Sequence, residues 1–177
     1  KQNSIDPGVS LDIAKENAFT IVEAFNHISC DAFSPGSKDF AAGFNFLKEL
    51  SAKSKFDFIS CNISNFDTSE LLFQEYKIVK YDNISIGLIG ASSVFKANSI
   101  YVNDPIPSIK NTISKIEDQC DAIILLFSAS DTDYKKIIAD KTLNIDFVIR
   151  GNTARKSTSG AGNTIPMYSV GEKGKAL

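Results

Sequence analysis

Two largely apolar runs constrain what this chain can fold into more than any other feature. They are DAIILLF at 121–127 and IDFVIRG at 145–151, and a helix-like pattern over 131–141 separates them. Strands that are apolar on both faces are typical of parallel sheets, because the connecting helices cover both sides of the sheet. The alternation of strands with helices therefore predicts an α/β fold with mostly parallel strands.

A hairpin is the second clear local signal. Residues 76–92 hold two strand-like runs on either side of Asp82-Asn83, a dipeptide that tolerates the positive φ angles of a tight turn. Ser10 and the Asp104-Pro105 pair mark the starts of two helices, of which the first ends near residues 27–29. The remaining predicted elements are a helix over 40–50 and short strands at 31–34, 56–63 and 166–171.

Charge and composition exclude two classes of partner. The net charge is −2 and the pI is near 5.4, so the chain lacks the basic field that nucleic acid binding needs. The longest apolar run, at 122–127, is too short to span a bilayer. We predict one domain over residues 1–177, without an internal repeat.

The cysteines do not indicate a metal or redox site. Cys30, Cys61 and Cys120 are an odd, widely spaced set without a CxxC pair. Each borders an apolar run, so we predict three small, buried apolar side chains, and the sequence leaves open whether any of them pair.

Polar residues follow three of the predicted strands. They are the turn Gly36–Asp39, the segment Ser128–Asp131 and the segment Arg150–Arg155. In open α/β sheets, functional sites lie beyond the carboxyl ends of the strands. We therefore expect these three segments to meet on one rim of the molecule.

Six segments resemble, in order and content, the metallophosphoesterase domain of the 5′-nucleotidase group, within the calcineurin-like phosphoesterase superfamily. They are FNHISCDAFSPGSKDFAAGFNFLKEL, FISCNI, YKIVKYDNISIGLIGAS, DAIILLFSAS, IDFVIRGNTAR and PMYSVGEKGKAL. The resemblance runs from about residue 18 to residue 177. It implies a metallophosphoesterase-like layered α/β sandwich with mostly parallel strands and one hairpin, truncated at its N-terminal strand or strands.

The same resemblance implies a site with two divalent metal ions, such as Mn, Zn or Fe, that hydrolyses phosphate esters. The positions matched to metal ligands are, however, Ser37, Lys38, Ser128, Asn152 and Ala154. A lysine ammonium repels a dication, a serine is too short to replace an imidazole, and an alanine offers no donor atom. We therefore predict no catalytic residue, no metal ligand and no cofactor, although Asn152 could still coordinate weakly and Asp39 remains beside the turn.

The only histidine is no substitute for the missing ligands. His27 falls late in the first predicted helix, away from every predicted strand end. We interpret it as a surface or helix-end residue.

The opening motif of the family has no counterpart in this sequence. The resemblance implies a first strand with Asp-x-His and a Gly-Asp turn, but NSIDPGVS holds only Asp6 and no strand-like run. We expect an exposed sheet edge where that strand would pair, covered either by residues 1–10 or by another chain. Self-association or a protein partner is the corresponding hypothesis. The first residue is Lys1 rather than methionine, which together with the resemblance suggests a processed or partial chain in a periplasmic or extracellular location.

Three functional interpretations remain open at this point. The favoured one is a phosphoesterase-like domain that has lost catalysis and serves as a binding or scaffold module. In that case Lys38, Arg150, Asn152 and Arg155 are candidates for binding a phosphate-containing small molecule, unless they are ordinary surface charges.

The second interpretation is an active metal-dependent phosphoesterase or nucleotidase that uses unorthodox ligands or residues outside this chain. The third is a flavodoxin-like or nucleotide-binding domain with phosphate nests at 90–93 and 159–164, although neither segment matches a dinucleotide or P-loop motif.

Overall fold

The computed structural model describes residues 8–151 and 165–169. Four α-helices lie within these ranges: α1 Leu11–His27, α2 Phe44–Lys53, α3 Pro105–Ile116 and α4 Asp131–Ala139. The strands are β1 Ala32–Phe33, β2 Asp57–Phe58, β3 Ile63–Asn65, β4 Tyr76–Tyr81, β5 Ile84–Ser92, β6 Ile100–Val102, β7 Ala122–Ser128, β8 Phe147–Gly151 and β9 Met167–Ser169. None of the helices described is both long and apolar enough to cross a membrane.

A five-stranded sheet in the order β4-β5-β7-β8-β9 forms the larger layer. β4 and β5 are antiparallel, and all other neighbours in this sheet are parallel. The predicted hairpin is confirmed, and Asp82 takes a φ of 52° at its turn. In β7, buried residues alternate with half-buried ones. One face of this strand is therefore buried and the other only half-buried, whereas the apolar run predicted burial on both faces.

Two helices pack beside this sheet, and the first of them, α3, has the predicted cap. The Asp104 carboxylate accepts a hydrogen bond from the Ile106 N–H at 3.0 Å, and Pro105 opens α3 as expected. Ser130 caps α4 in the same way, since its hydroxyl accepts from the Asp133 N–H at 3.2 Å. Ser130 follows β7 of this sheet and Asp104 follows β6, which lies outside it, so each cap fixes where a helix begins after a strand.

The second layer is built from α1, α2 and two strand pairs. β1 and β2 are parallel, whereas β3 and β6 are antiparallel. Aromatic rings fill the space between these strands and the helices, among them the pairs Phe33–Phe58, Phe25–Phe56 and Phe19–Phe46. This aromatic cluster gives the layer its own hydrophobic core.

The predicted strand over 56–63 is interrupted, which the sequence did not indicate. The Ser60 N–H donates to the Gln74 carbonyl at 2.7 Å, and the Cys61 N–H donates to the Gly90 carbonyl at 2.8 Å. The chain therefore leaves β2, crosses β5 and continues as β3. The segment that contains Gly90 lies inside β5, so 90–93 is not the glycine-rich turn that a phosphate nest would need.

Candidate functional site

The turn after β1 is closed by one of its own side chains. Ser37–Phe40 forms a single 3-10 turn, and the Asp39 carboxylate accepts a hydrogen bond from the Gly36 N–H at 2.7 Å. Burial raises the pKa of Asp39 above its usual value, although this hydrogen bond acts in the opposite direction. The carboxylate therefore serves the turn and is not left free for a ligand.

This turn lies directly against the end of β7. A Cβ atom placed on Gly36 would stand 2.0 Å from the Ser128 Oγ and 2.7 Å from the Ser128 Cβ. Only a residue without a side chain allows so close an approach. Two of the positions matched to metal ligands, Ser37 and Ser128, are thereby brought together.

Serine side chains dominate the pocket at this rim. A cavity of about 100 Å³ lies between the ends of β5 and β7, the 3-10 turn and the start of α4. Its polar lining consists of Ser37, Ser92, Ser93, Ser128, Ser130 and Asp133. We call this cavity the serine pocket. Hydroxyl groups are neutral donors and acceptors, so these serines can hydrogen-bond a small polar group without adding charge to the pocket.

Asp133 is the carboxylate of the serine pocket, and it is already engaged. Ser130 donates to its Oδ2 at 3.0 Å and Lys136 approaches its Oδ1 at 3.4 Å. Burial alone would raise the pKa of Asp133, but hydrogen bonds from Ser93, Ser130 and Lys136 lower it below its usual value. This carboxylate is therefore charged near neutral pH and held in place by its neighbours.

Arg150, at the end of β8, is buried and bound internally. Its guanidinium donates to the Ala129 carbonyl at 3.0 Å and to the Asp131 carboxylate at 2.5 Å. The same group lies 4.8 Å above the Tyr134 ring, whose hydroxyl has no partner among the described residues. An anion at this arginine would have to compete with Asp131.

Lys38, another predicted anion-binding residue, does not share these surroundings. Lys38 is exposed and lines a larger apolar cavity on the other side of the turn, together with Asp39. Asn152, Ala154 and Arg155 lie outside the described residues, so their predicted roles stay predictions. They follow Gly151 in sequence, and Gly151 pairs with Ser128 in the sheet.

The described side chains do not fit a dinuclear metal centre. Within residues 8–151 and 165–169, no three His, Cys, Asp or Glu side chains group closely enough to hold a metal ion. His27 ends α1, as the sequence predicted. The serine pocket offers hydroxyls and one carboxylate that its neighbours already bind, whereas such centres need several imidazoles and carboxylates. No reaction step through a metal is derived for this set of donors.

Comparison with solved structures identifies the architecture. Calcineurin-like phosphoesterase YfkN from Bacillus subtilis superposes with a TM-score of 0.73 at 20% identity, covering 90% of this chain and 61% of that protein. This chain has the calcineurin-like phosphoesterase fold. The resemblance seen in the sequence is thus confirmed as to fold, and so is the mixed α/β class with a mainly parallel sheet.

Two further neighbours have the same architecture within larger proteins. The sulfate thiohydrolase SoxB from Thermus thermophilus gives a TM-score of 0.79 at 17% identity, covering 95% of this chain and 32% of SoxB. The NAD nucleotidase NadN from Haemophilus influenzae gives 0.68 at 17% identity, covering 92% of this chain and 34% of NadN. This chain therefore spans about a third of the length of these two proteins. The sequence matches no family model and none of the curated proteins.

Sequence reasoning found part of this phosphoesterase-fold site and missed part of it. The order of the strand ends predicted that the 37–39 turn and Ser128 would meet. Ser93 and Asp133 were not predicted as lining residues. The small residues that end β5 were a signal for Ser93, since strands beneath a functional rim often end in this way. For Asp133, the sequence held no indication beyond its place three residues after Ser130.

Gly36→Ala tests the contact between the 3-10 turn and β7. The new methyl group would overlap Ser128, so we expect a loss of about 1–3 kcal/mol in the free energy of unfolding. Gly151→Ala, also at this rim, is the matched control, because no atom of the described residues lies within 4 Å of a Cβ placed there. Urea denaturation of both variants gives the comparison. Equal stabilities would show that the turn does not pack on Ser128, and Gly36→Ala/Ser128→Gly should recover part of the loss.

Asp39→Asn tests the buried carboxyl group of the turn. The raised pKa means that the folded state holds the Asp39 proton more tightly than the unfolded state does. Protonation of Asp39 therefore stabilises the folded state below about pH 3.9, and this stabilisation is lost as the pH rises through the folded pKa. Asparagine can accept the same Gly36 N–H without ionising. We expect the variant to gain stability relative to wild type as the pH rises from acid to neutral. Asp118→Asn, at an exposed site, controls for the lost charge, and urea midpoints that differ equally at all pH values would contradict the expectation.

Proposed function

We propose that this chain is a non-catalytic binding or scaffold module with the calcineurin-like phosphoesterase fold. One observation carries the proposal: Ser37 and Ser128, matched to metal-ligand positions, meet at a pocket lined by hydroxyls and a single engaged carboxylate. Dinuclear hydrolysis needs two ions that hold both the phosphate and the attacking hydroxide. Without their ligands, the rim retains the shape of a ligand site and loses the means of activating water.

The proposed ligand is a phosphate-containing small molecule bound at the serine pocket. Serine hydroxyls can donate to phosphate oxygens, and Arg155 belongs to the segment that follows Gly151, the strand partner of Ser128. Lys38 and Arg150 support the site less directly, because Lys38 lines the neighbouring cavity and Arg150 is paired with Asp131. Asn152 completes the candidate set.

A second candidate function is metal-dependent hydrolysis of phosphate esters. The observation that favours it is the partial coverage of the enzymes with this fold, since residues outside this chain could supply ligands in a longer protein. For both candidate functions, we also propose that the protein is periplasmic or extracellular and that it has a protein partner.

Metal analysis combined with an activity assay distinguishes the two candidates. After incubation with Mn²⁺ and Zn²⁺ and desalting, we expect substoichiometric metal and no metal-dependent hydrolysis of bis(4-nitrophenyl) phosphate or AMP. Retention of one or two ions per chain, with turnover that Ser128→Ala abolishes, would instead establish the enzyme.

Ligand binding is tested separately by calorimetric titration of AMP into the metal-free chain. We expect Arg155→Ala to weaken binding about tenfold, while Lys141→Ala, beyond the far end of α4, leaves it unchanged. Equal affinities for the two variants would remove Arg155 from the site. The absence of any heat of binding would reduce the proposal to a scaffold role.

A further inference from the structure

Helix α1 is packed far less tightly than its length would suggest. Among its 17 residues only Val22 is fully buried, and Ile21 is 53% exposed although it faces the aromatic layer. An amphipathic helix of a globular protein normally buries a continuous apolar stripe. Here α1 stands over an open space instead of closing it.

That space is a groove lined almost entirely by apolar side chains. Its volume is about 560 Å³, and α1 and the residue before its cap contribute Val9, Ala14, Ala18 and Ile21 to one wall. Aromatic residues of β1 and β2, with the residue before β2, form the opposite wall: Phe33, Phe56 and Phe58. We call it the α1 groove. Such an exposed apolar concavity is typical of an interaction site and unfavourable to leave in water.

Among the described residues, β1, which borders the α1 groove, is paired on one edge alone. The carbonyls of Asp31 and Phe33 accept hydrogen bonds from the Asp57 N–H at 3.4 Å and the Ile59 N–H at 2.9 Å, so both point toward β2. Because successive residues of a strand direct their backbone groups to opposite sides, the N–H and carbonyl of Ala32 point away from β2. Within the described part of the chain, the carbonyl of Ala32 accepts a hydrogen bond only from the Cys30 thiol, at 3.4 Å, and the N–H of Ala32 has no acceptor.

We propose that the α1 groove binds an extended segment of a partner protein in which every second residue is apolar. An extended backbone offers an acceptor to the N–H of Ala32 and a backbone donor to its carbonyl, which otherwise accepts from the Cys30 thiol, as strand addition does at other sheet edges. Alternate side chains of such a segment point to one side, where α1 and the aromatic wall receive them. An apolar small molecule would fill the groove but leave the edge of β1 unpaired. The proposal does not depend on ligand binding at the serine pocket.

A labelled peptide tests the proposal with the full 177-residue chain. The probe is fluorescein-Lys-Thr-Val-Ser-Val-Thr-Val-Lys-amide, and its binding is followed by fluorescence anisotropy. Two further peptides carry N-methyl groups either on the valine amides or on the amides between them. Strand pairing uses only one of these two sets, so we expect saturable binding that one methylated peptide loses by about tenfold or more and the other retains.

Two matched substitutions on α1 locate the binding site. Ile21→Asp places a charge in the α1 groove at a half-exposed position, so folding should survive while peptide binding weakens about tenfold. Ile28→Asp is the control, because Ile28 caps the helix, is 72% exposed and does not line the groove. Circular dichroism establishes that both variants are folded.

Several results would overturn the proposal. They are no saturable binding, equal loss with both methylated peptides, or equal affinity of the two α1 variants. Binding that appears only when residues 1–7 are deleted would identify the chain's own N-terminal segment as the occupant. Dimerisation in sedimentation that Ile21→Asp abolishes and Ile28→Asp retains would identify a second copy.

Discussion

Gly90→Ala is expected to reduce the free energy of unfolding by about 3 kcal/mol or more, a large fraction of the stability of an ordinary domain. Gly90 lies in β5 where the chain leaving β2 crosses the larger sheet. A Cβ atom at this position would stand 2.1 Å from the Ile59 carbonyl oxygen and 2.6 Å from its carbon. Both are backbone atoms, so no change of side-chain rotamer relieves the overlap.

The crossing is also fixed by hydrogen bonds, which prevents the two segments from moving apart. The Gly90 carbonyl accepts from the Cys61 N–H at 2.8 Å, and the preceding Ser60 N–H is bound to Gln74. Separating the segments to admit a methyl group would break these bonds in the interior, and each buried backbone group left without a partner costs about 1–3 kcal/mol. The two layers of the fold would lose one of their points of contact.

Gly87→Ala is the matched control for this prediction because it lies in the same strand. Its Cβ would meet the Ile116 Cδ1 at 2.8 Å and the Cys120 Sγ at 3.0 Å, which are the ends of side chains that can turn aside. We expect a loss of about 1 kcal/mol or less, since alanine also favours the folded chain entropically. Thermal and urea denaturation of both variants makes the comparison. Similar losses for the two would show that the crossing at Gly90 is looser than the structure has it.

The elements that the sequence predicted are those with local causes. The hairpin depends on Asp82-Asn83, and α3 depends on the Asp104 side chain and Pro105, so neighbouring residues suffice to specify them. The interruption of the 56–63 strand has a non-local cause, because Ser60 and Cys61 bind backbone groups of Gln74 and Gly90. Strand β6, at Ile100–Val102, was missed for the same reason, since it exists by pairing with β3.

The candidate site divides in a similar way. The chain order of the strand ends was enough to predict that Ser37 and Ser128 meet, because parallel strands end at the same edge of a sheet. The sequence could not show that Lys38 lines the groove on the other side of the turn, or that Asp131 binds Arg150. Both depend on side-chain directions that the turn and the α4 cap impose. The loose packing of α1 was equally hidden, since helical spacing of apolar residues predicts a buried stripe.

Asn62→Asp is expected to cost about 3–5 kcal/mol near neutral pH, because it places a charge in the interior opposite two carbonyl groups. Asn62 is fully buried between β2 and β3. Its Nδ2 donates to the carbonyls of Ser92 at 2.7 Å and Asn103 at 2.9 Å, and its Oδ1 accepts from the Ser92 N–H at 3.0 Å. This one amide thus holds the end of β5 and the segment before α3, and with them the wall of the serine pocket that Ser92 supplies.

A carboxylate at this position can keep the bond from the Ser92 N–H but cannot donate to either carbonyl. Protonation restores one donor, so burial should raise the pKa of the introduced carboxyl group, and the stability of Asn62→Asp should increase as the pH falls. Asn65→Asp is the matched control, since the half-exposed Asn65 uses only its Oδ1, which accepts from the N–H groups of Asp67 and Thr68. Urea midpoints measured across acid and neutral pH should separate the two variants most widely at neutral pH. A small, pH-independent loss for Asn62→Asp would mean that the amide does not hold the rim, and that the end of β5 is positioned by its sheet neighbours alone.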